Sequence, residues 1–140
     1  MLFRSGHAAG DEVLQELARR VTHNLRSFDT VARYGGEEFV IVMPDTEISI
    51  ACTVAERLRA DIASRGFAIS GPGEAVNVTV SIGVASAAPA GETTADILRR
   101  ADEALFAAKR GGRNRAMLWT ETGFEDVTQG EPDTPAAGVA

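Results

Sequence analysis

The sequence lacks most features that would declare a function at once. Its single cysteine, Cys52, excludes an internal disulfide. On an amphipathic helix that thiol reads as a small buried hydrophobe in a reducing compartment. No apolar run approaches the roughly 20 residues a bilayer span requires. The opening residues, MLFRSGH, are too few and too polar for a secretory leader. The expected location is the cytoplasm. Basic residues stop at Arg115; beyond it stand Glu121, Glu125, Asp126, Glu131 and Asp133 with no Lys or Arg. The formal charge of -6 therefore belongs mostly to a tail, leaving fifteen acids against fourteen bases elsewhere. No basic footprint for long nucleic acid exists, though a small anionic ligand needs only a few local cations. Ser-His-Asp order, a Walker phosphate loop and zinc-ligand spacing are all missing. The 140 residues suffice for one domain.

What is present is periodicity. Val13, Leu14, Leu17, Val21 and Leu25 predict a helix over 8–27, with Asp11 and Glu12 where acids favour a helix start. Short strands are predicted over 30–34 and 38–43. Gly35-Gly36 between them reads as a tight hairpin turn with positive φ, and Pro44-Asp45 ends the second strand. A helix over 48–64 carries the stripe Ile50, Val54, Leu58 and Ile62. A short strand over 67–70 follows, then the strict alternation Val76, Val78, Val80, Ile82, Val84. Thr93 or Thr94 caps a third helix with Ile97, Leu98, Ala101, Leu105 and Ala108 on one face. Gly111-Gly112 stops it, and 114–119 reads as a strand. Residues 1–119 are thus the expected domain, and 120–140 an expected disordered acidic tail. The order α-β-β-α-β-β-α-β implies an α+β sandwich, mostly antiparallel, with helices packed on the sheet. It is similar to a ferredoxin-like βαββαβ plan whose first strand is missing.

Four clusters invite chemistry, and each has a plainer explanation. Glu37 and Glu38 crowd two negative charges onto a turn, which suits Mg²⁺ and phosphate, or simply a solvated hairpin. Adjacent strand residues point to opposite faces, so at most one shares a site unless the turn twists. Gly35-Gly36 lets a triphosphate approach the backbone. Lys109 and Arg113 flank a glycine pair, either to complement a helix terminus or to grip phosphates. Asp11, after Gly6-His7-Ala8-Ala9-Gly10, is a first-turn acid or a carboxylate for guanine N–H groups; His7 caps or packs. Arg26 and Asp29 are a helix end and turn, or an Arg-Asp pair facing a nucleotide, joined by Arg57.

Together these residues resemble the GGDEF domain of the diguanylate cyclase family. Gly35-Gly36-Glu37-Glu38-Phe39 is the GGEEF form of its name motif. Arg26 and Asp29 form an RxxD pair at the family's spacing, and Arg33-Tyr34 precedes the motif. Met43-Pro44-Asp45-Thr46, Val80-Ser81-Ile82-Gly83-Val84 and Ala101-Asp102-Glu103-Ala104-Leu105 follow in order, then Lys109 and Gly112-Arg113-Asn114. The match covers residues 6 to about 119. The resemblance implies a nucleotidyl-cyclase-like fold and condensation of two GTP into cyclic di-GMP plus pyrophosphate by an antiparallel homodimer, assisted by Mg²⁺ (or Mn²⁺). It implies that Glu37 holds metal, that Glu38 supports metal or proton transfer, and that Gly35 and Gly36 admit the triphosphate. Asp11 would read guanine, Lys109 and Arg113 would hold phosphates, and Arg26, Asp29 and Arg57 would form a product-binding allosteric site. A cyclic di-GMP receptor acting through that last site is the alternative. The family's initial strand carries a metal-binding aspartate, followed by a Phe-Lys pair and a guanine-reading Asn. Here only MLFRS precedes Gly6, and counting puts Leu2 at the Asn position. The expectation is a truncated product of a longer gene, with unpaired strand edges in its core and little or no turnover.

Overall fold

The computed structural model describes residues 1–5, 10–68, 73, 75–88 and 91–128. The elements are β1 (Leu2–Ser5), α1 (Asp11–His23), β2 (Thr30–Arg33), β3 (Glu38–Val42), α2 (Ile48–Ser64), β4 (Val80–Val84), α3 (Thr94–Arg110), β5 (Ala116–Thr120) and β6 (Gly123–Asp126). The six strands form one sheet in the order β2-β3-β1-β4-β5-β6. Only β4 and β5 pair in parallel; all other neighbours are antiparallel. The α+β sandwich expected from the sequence is present. No helix of the described residues is long and apolar enough to cross a membrane.

Each strand buries alternate residues on opposite faces. Phe39, Ile41, Val80, Ile82 and Val84 form the main core with Leu14, Leu17 and Val21 of α1 and Leu58 and Ile62 of α2. Cys52 of α2 is partly buried against this core, and burial pushes its thiol pKa up. The other face belongs to α3, whose Ala101 and Leu105 cluster with Val40 and Ala85. The helix begins with a capping box: Thr93 Oγ1 accepts from the Asp96 N–H, and the Asp96 carboxylate accepts from the Thr93 N–H. It comes so close to the sheet that a Cβ on Gly83 would stand 2.1 Å from the Ala101 carbonyl oxygen.

Three expectations need correction. The first strand is not missing: residues 2–5 occupy the sheet centre, with Phe3 opposite Phe39 on one side and Ile82 on the other. A gap there would leave two rows of unpaired N–H and C=O groups. A four-residue extended segment is enough to satisfy them, and Met1 prolongs the ladder, exchanging hydrogen bonds with Ile41 at 2.8 and 2.9 Å. Nor is the chain after residue 120 structureless throughout. β6 pairs with β5 in register Trp119↔Phe124, and the Val127 N–H reaches the Ala116 carbonyl at 3.0 Å. Composition hid this hairpin because β6 is short, acidic and mostly exposed on the sheet edge; residues 129–140 lie outside the described residues.

The third correction concerns the hairpin turn. Neither Gly35 nor Gly36 has positive φ. The connection is longer than a two-residue turn, running 34–37, and the Glu38 carbonyl closes it by accepting from the Tyr34 and Gly35 N–H groups. Element bounds differ too. Helix α1 stops at His23 because Asn24 caps it, its side-chain amide donating to the Arg20 carbonyl. The strand expected over 67–70 reduces to one bridge, Phe67↔Val76, with 69–70 outside the described residues.

Candidate functional site

Glu38 and the cationic end of α3 lie at the same end of one sheet face. β4 and β5 are parallel neighbours, so α3 returns antiparallel to them. Its N-terminal residues Thr94, Ile97 and Leu98 border the same pocket as Ser86 and Ala87 after β4. The C-terminal turn, with Lys109, therefore lies over the start of β4, at Val80 and Ser81. Register carries that level across the sheet: Arg4 pairs with Ser81 on one side and Glu38 on the other. Two strand spacings put Glu38 about 10 Å from Ser81 laterally. By alternation Glu38 shares a face with Val40, the α3 face.

The turn that presents the glutamates is clamped from beneath. Arg33 donates from Nε to the Gly35 carbonyl at 3.2 Å and from Nη2 to the Gly36 carbonyl at 2.8 Å. Tying both carbonyls down on the arginine side fixes the orientation of the two peptide planes. A Cβ on Gly35 would meet Glu38 Oε2 at 3.3 Å, so glycine gives the Glu38 carboxylate room to fold over the turn; a Cβ on Gly36 would meet nothing within 4 Å. In the sequence Arg33 stands only as the residue before Tyr34 ahead of the glycine pair. Its role is a matter of tertiary direction, for which no one-dimensional signal exists.

Beside the turn, Asp11 opens α1. It lines a groove of about 370 Å³ with Leu14, Ala18, Val31, Arg33 and Phe39. Apolar side chains make up most of the groove, with Asp11, Gln15 and Arg33 as its polar members. Gly6 and His7, expected nearby, lie outside the described residues.

At the far end of α3, the chain reverses through left-handed residues: Gly112 at φ 120°, Arg113 at 63° and Asn114 at 44°. This tight reversal keeps Arg113 near Lys109, with the Arg113 N–H on the Ala108 carbonyl at 3.0 Å. The Asn114 side chain anchors the turn by accepting from Arg59 Nη1 at 2.8 Å.

The donor set decides what metal can be held. Glu37 and Glu38 are hard oxygen donors of the type Mg²⁺ takes. β1 supplies Leu-Phe-Arg-Ser and no carboxylate. Among the described residues no group of three His, Cys, Asp or Glu could hold a metal ion. Two adjacent carboxylates could supply part of a Mg²⁺ shell and would leave the rest to other oxygens.

Arg26, Asp29 and Arg57 meet elsewhere, at the opposite end of β2 and β3. The Arg26 guanidinium holds Asp29 through contacts of 3.2 and 3.0 Å, and its backbone N–H adds a third at 2.8 Å. These bonds lower the Asp29 pKa. Arg26 also donates to Thr46 and lies over the Phe28 ring, 4.4 Å from its centroid. The Asp29 side chain is 1% exposed and that of Arg26 41%, so the arginine is the accessible partner. Arg57 donates to the Asn24 carbonyl at 2.8 Å, which brings α2 to the same corner.

Comparison with known proteins bears on the family and the fold. The family model described as "Diguanylate cyclase, GGDEF domain" matches residues 4–115. The response regulator PleD of Caulobacter vibrioides is 48% identical over 112 residues, which is 80% of this chain and 25% of PleD. Diguanylate cyclase A of Treponema denticola is 46% identical over 113 residues, 81% of this chain and 30% of that protein. The chain thus spans between a quarter and a third of these relatives' length. Among solved structures, the GGDEF domain of DgcB from Caulobacter crescentus in complex with c-di-GMP superposes with a TM-score of 0.76 at 34% identity, covering 84% of this chain and 74% of that one. The active GGEEF domain of a diguanylate cyclase from Vibrio cholerae gives 0.76 at 32% identity, covering 86% and 81%.

Proposed function

The chain belongs to the GGDEF family of diguanylate cyclase domains, and from that membership we propose that it binds GTP at the hairpin and is built to join two GTP into cyclic di-GMP. The observation that supports the reading is the register that sets Glu38, on the α3 face, two strands from Ser81, over which the end of α3 with Lys109 lies. In the proposed reaction an antiparallel dimer brings two GTP molecules face to face. The 3′-hydroxyl oxygen of each bonds to the α-phosphorus of the other, the bond to the β-phosphate oxygen breaks, and pyrophosphate leaves.

Each residue has one task. Asp11 accepts N–H groups from the guanine edge in the groove. Gly35 and Gly36 let phosphate oxygens approach the backbone. Lys109 and Arg113 offset the charge that develops on the phosphates. Glu37 engages the Mg²⁺ of the incoming Mg·GTP, and Glu38, across β1 from Ser81, supports that contact or accepts the hydroxyl proton. Mg²⁺ (or Mn²⁺), when bound, withdraws charge from the triphosphate. With one carboxylate pair and no acid on β1, turnover is expected to be small although GTP binds.

The test is incubation with GTP and Mg²⁺, chromatography for cyclic di-GMP, and calorimetry for GTP. Binding with trace or no product is expected; absence of GTP binding overturns the assignment, and rapid turnover overturns the low-activity expectation. A second reading, a cyclic di-GMP receptor, is favoured by the preorganised Arg26–Asp29 pair and the Phe28 ring beneath the guanidinium. Arg26→Ala should then abolish cyclic di-GMP binding in calorimetry; unchanged affinity excludes it.

A further inference from the structure

Helix α3 carries an exposed stripe that the nucleotide site does not require. Asp102, Phe106 and Arg110 follow one another at four-residue intervals, and all three are exposed, so they share one outer face. Phe106 is 60% exposed. The stripe borders an open groove of about 790 Å³ that Lys109 and Phe124 of β6 also line. Other charges of α3 are satisfied within the chain: Arg99 pairs with Glu103 at 2.7 Å, and Arg100 pairs with Glu92. Asp102 and Arg110 have no ion-pair partner among the described residues, although Arg110 leans over the Phe106 ring at 5.8 Å.

The order of charges along the helix is the informative part. Counting from Phe106, acids stand three and four residues before it, Glu103 and Asp102, and bases three and four residues after it, Lys109 and Arg110. Such a pattern complements itself about a two-fold axis through the phenylalanine, and only when the two helices run antiparallel. We propose that this face is a self-association surface on which two copies of the chain pair α3 against α3. Phe106 meets the partner's Phe106 at the axis, and Asp102 faces the partner's Arg110 on either side. A parallel arrangement would set Asp102 against the partner's Asp102. Burial of the two rings supplies the attraction, while the exposed ion pairs add little strength and fix the orientation. The pairing is therefore weak and reversible. It needs no nucleotide, which separates it from the ligand-bearing dimer of the proposed reaction.

Sedimentation velocity on the nucleotide-free full chain, over a micromolar-to-millimolar series, tests this. Wild type should show a concentration-dependent monomer–dimer equilibrium. Phe106→Ser should weaken it about tenfold, as expected for a central aromatic anchor. Asp102→Arg and Arg110→Asp should each weaken it, on the order of fivefold. The double variant D102R/R110D re-creates the complementary pattern with signs exchanged and should return to within about twofold of wild type. All three positions in these variants are exposed, and circular dichroism verifies the fold. A chain monomeric throughout, a double variant no tighter than the singles, or a dimer abolished by Arg26→Ala instead, overturns the proposal.

Discussion

Gly83 shows how much one missing side chain can decide. A Cβ there would stand 2.1 Å from the Ala101 carbonyl oxygen and 2.4 Å from the Leu105 nitrogen, both backbone atoms of α3. Neither can rotate away, so Gly83→Ala has to push the helix off the sheet. A loss of at least about 2 kcal/mol is expected from such overpacking, read as a lower denaturant midpoint; an unchanged midpoint contradicts the close approach. Glu16 acts at the same scale through charge. Hydrogen bonds from Arg19 and Arg20 lower its pKa from 4.5 to about 2. The folded carboxylate holds its charge more tightly than the unfolded one, so its contribution is complete above the ordinary value. It is lost as pH falls from about 4.5 toward 2. Denaturation at pH 5 and pH 3 should show Glu16→Gln losing less stability over that interval than wild type. Arg20 makes this worth measuring: it is buried, and its remaining donors reach the Arg65 and Gly66 carbonyls at 2.8 Å each while it lies over Phe67.

Elements differ in how plainly the sequence announced them. The helices α2 and α3 and strands β2 and β3 were legible because their apolar spacing is strong and local. β1 was not, because four residues carry no periodicity and its place is set by two partners distant in sequence. β6 was missed for a different reason: an edge strand with one covered side needs few apolar residues, so its acids suggested a solvated tail. This predicts that ending the chain after Thr120 is costly. Removing β6 bares the hydrogen-bonding row of β5 and uncouples Trp119 from Phe124. The melting temperature should fall on the order of 5 °C, with new concentration-dependent light scattering from the open edge. A truncated chain as stable and monodisperse as the parent would show β6 to be incidental.

For the whole molecule, the residue types of both candidate sites were readable and their separation was not. Asp11, Glu38 and Lys109 are distant in sequence, and only the crossing of α3 over β4 and the register through β1 bring their elements to one end. The Arg26 corner lies at the other end of β2 and β3, about 15 Å away by strand length. Substitutions at that distance without shared partners should act independently. Arg26→Ala is therefore expected to leave GTP affinity within about twofold of wild type, and Lys109→Ala to leave cyclic di-GMP affinity equally untouched. Calorimetric titration of both variants with both ligands checks this, and strong cross-effects would mean that the two sites communicate.

The central position of β1 has a consequence for how the protein is made. Leu2 pairs with Val40 and with Gly83, so β1 is bordered by strands translated well after it. At roughly 5–20 residues per second, the wait for β4 lasts several seconds. Through that interval β3 is the one neighbour β1 can have, and the sheet closes on its other side only once β4 has been made.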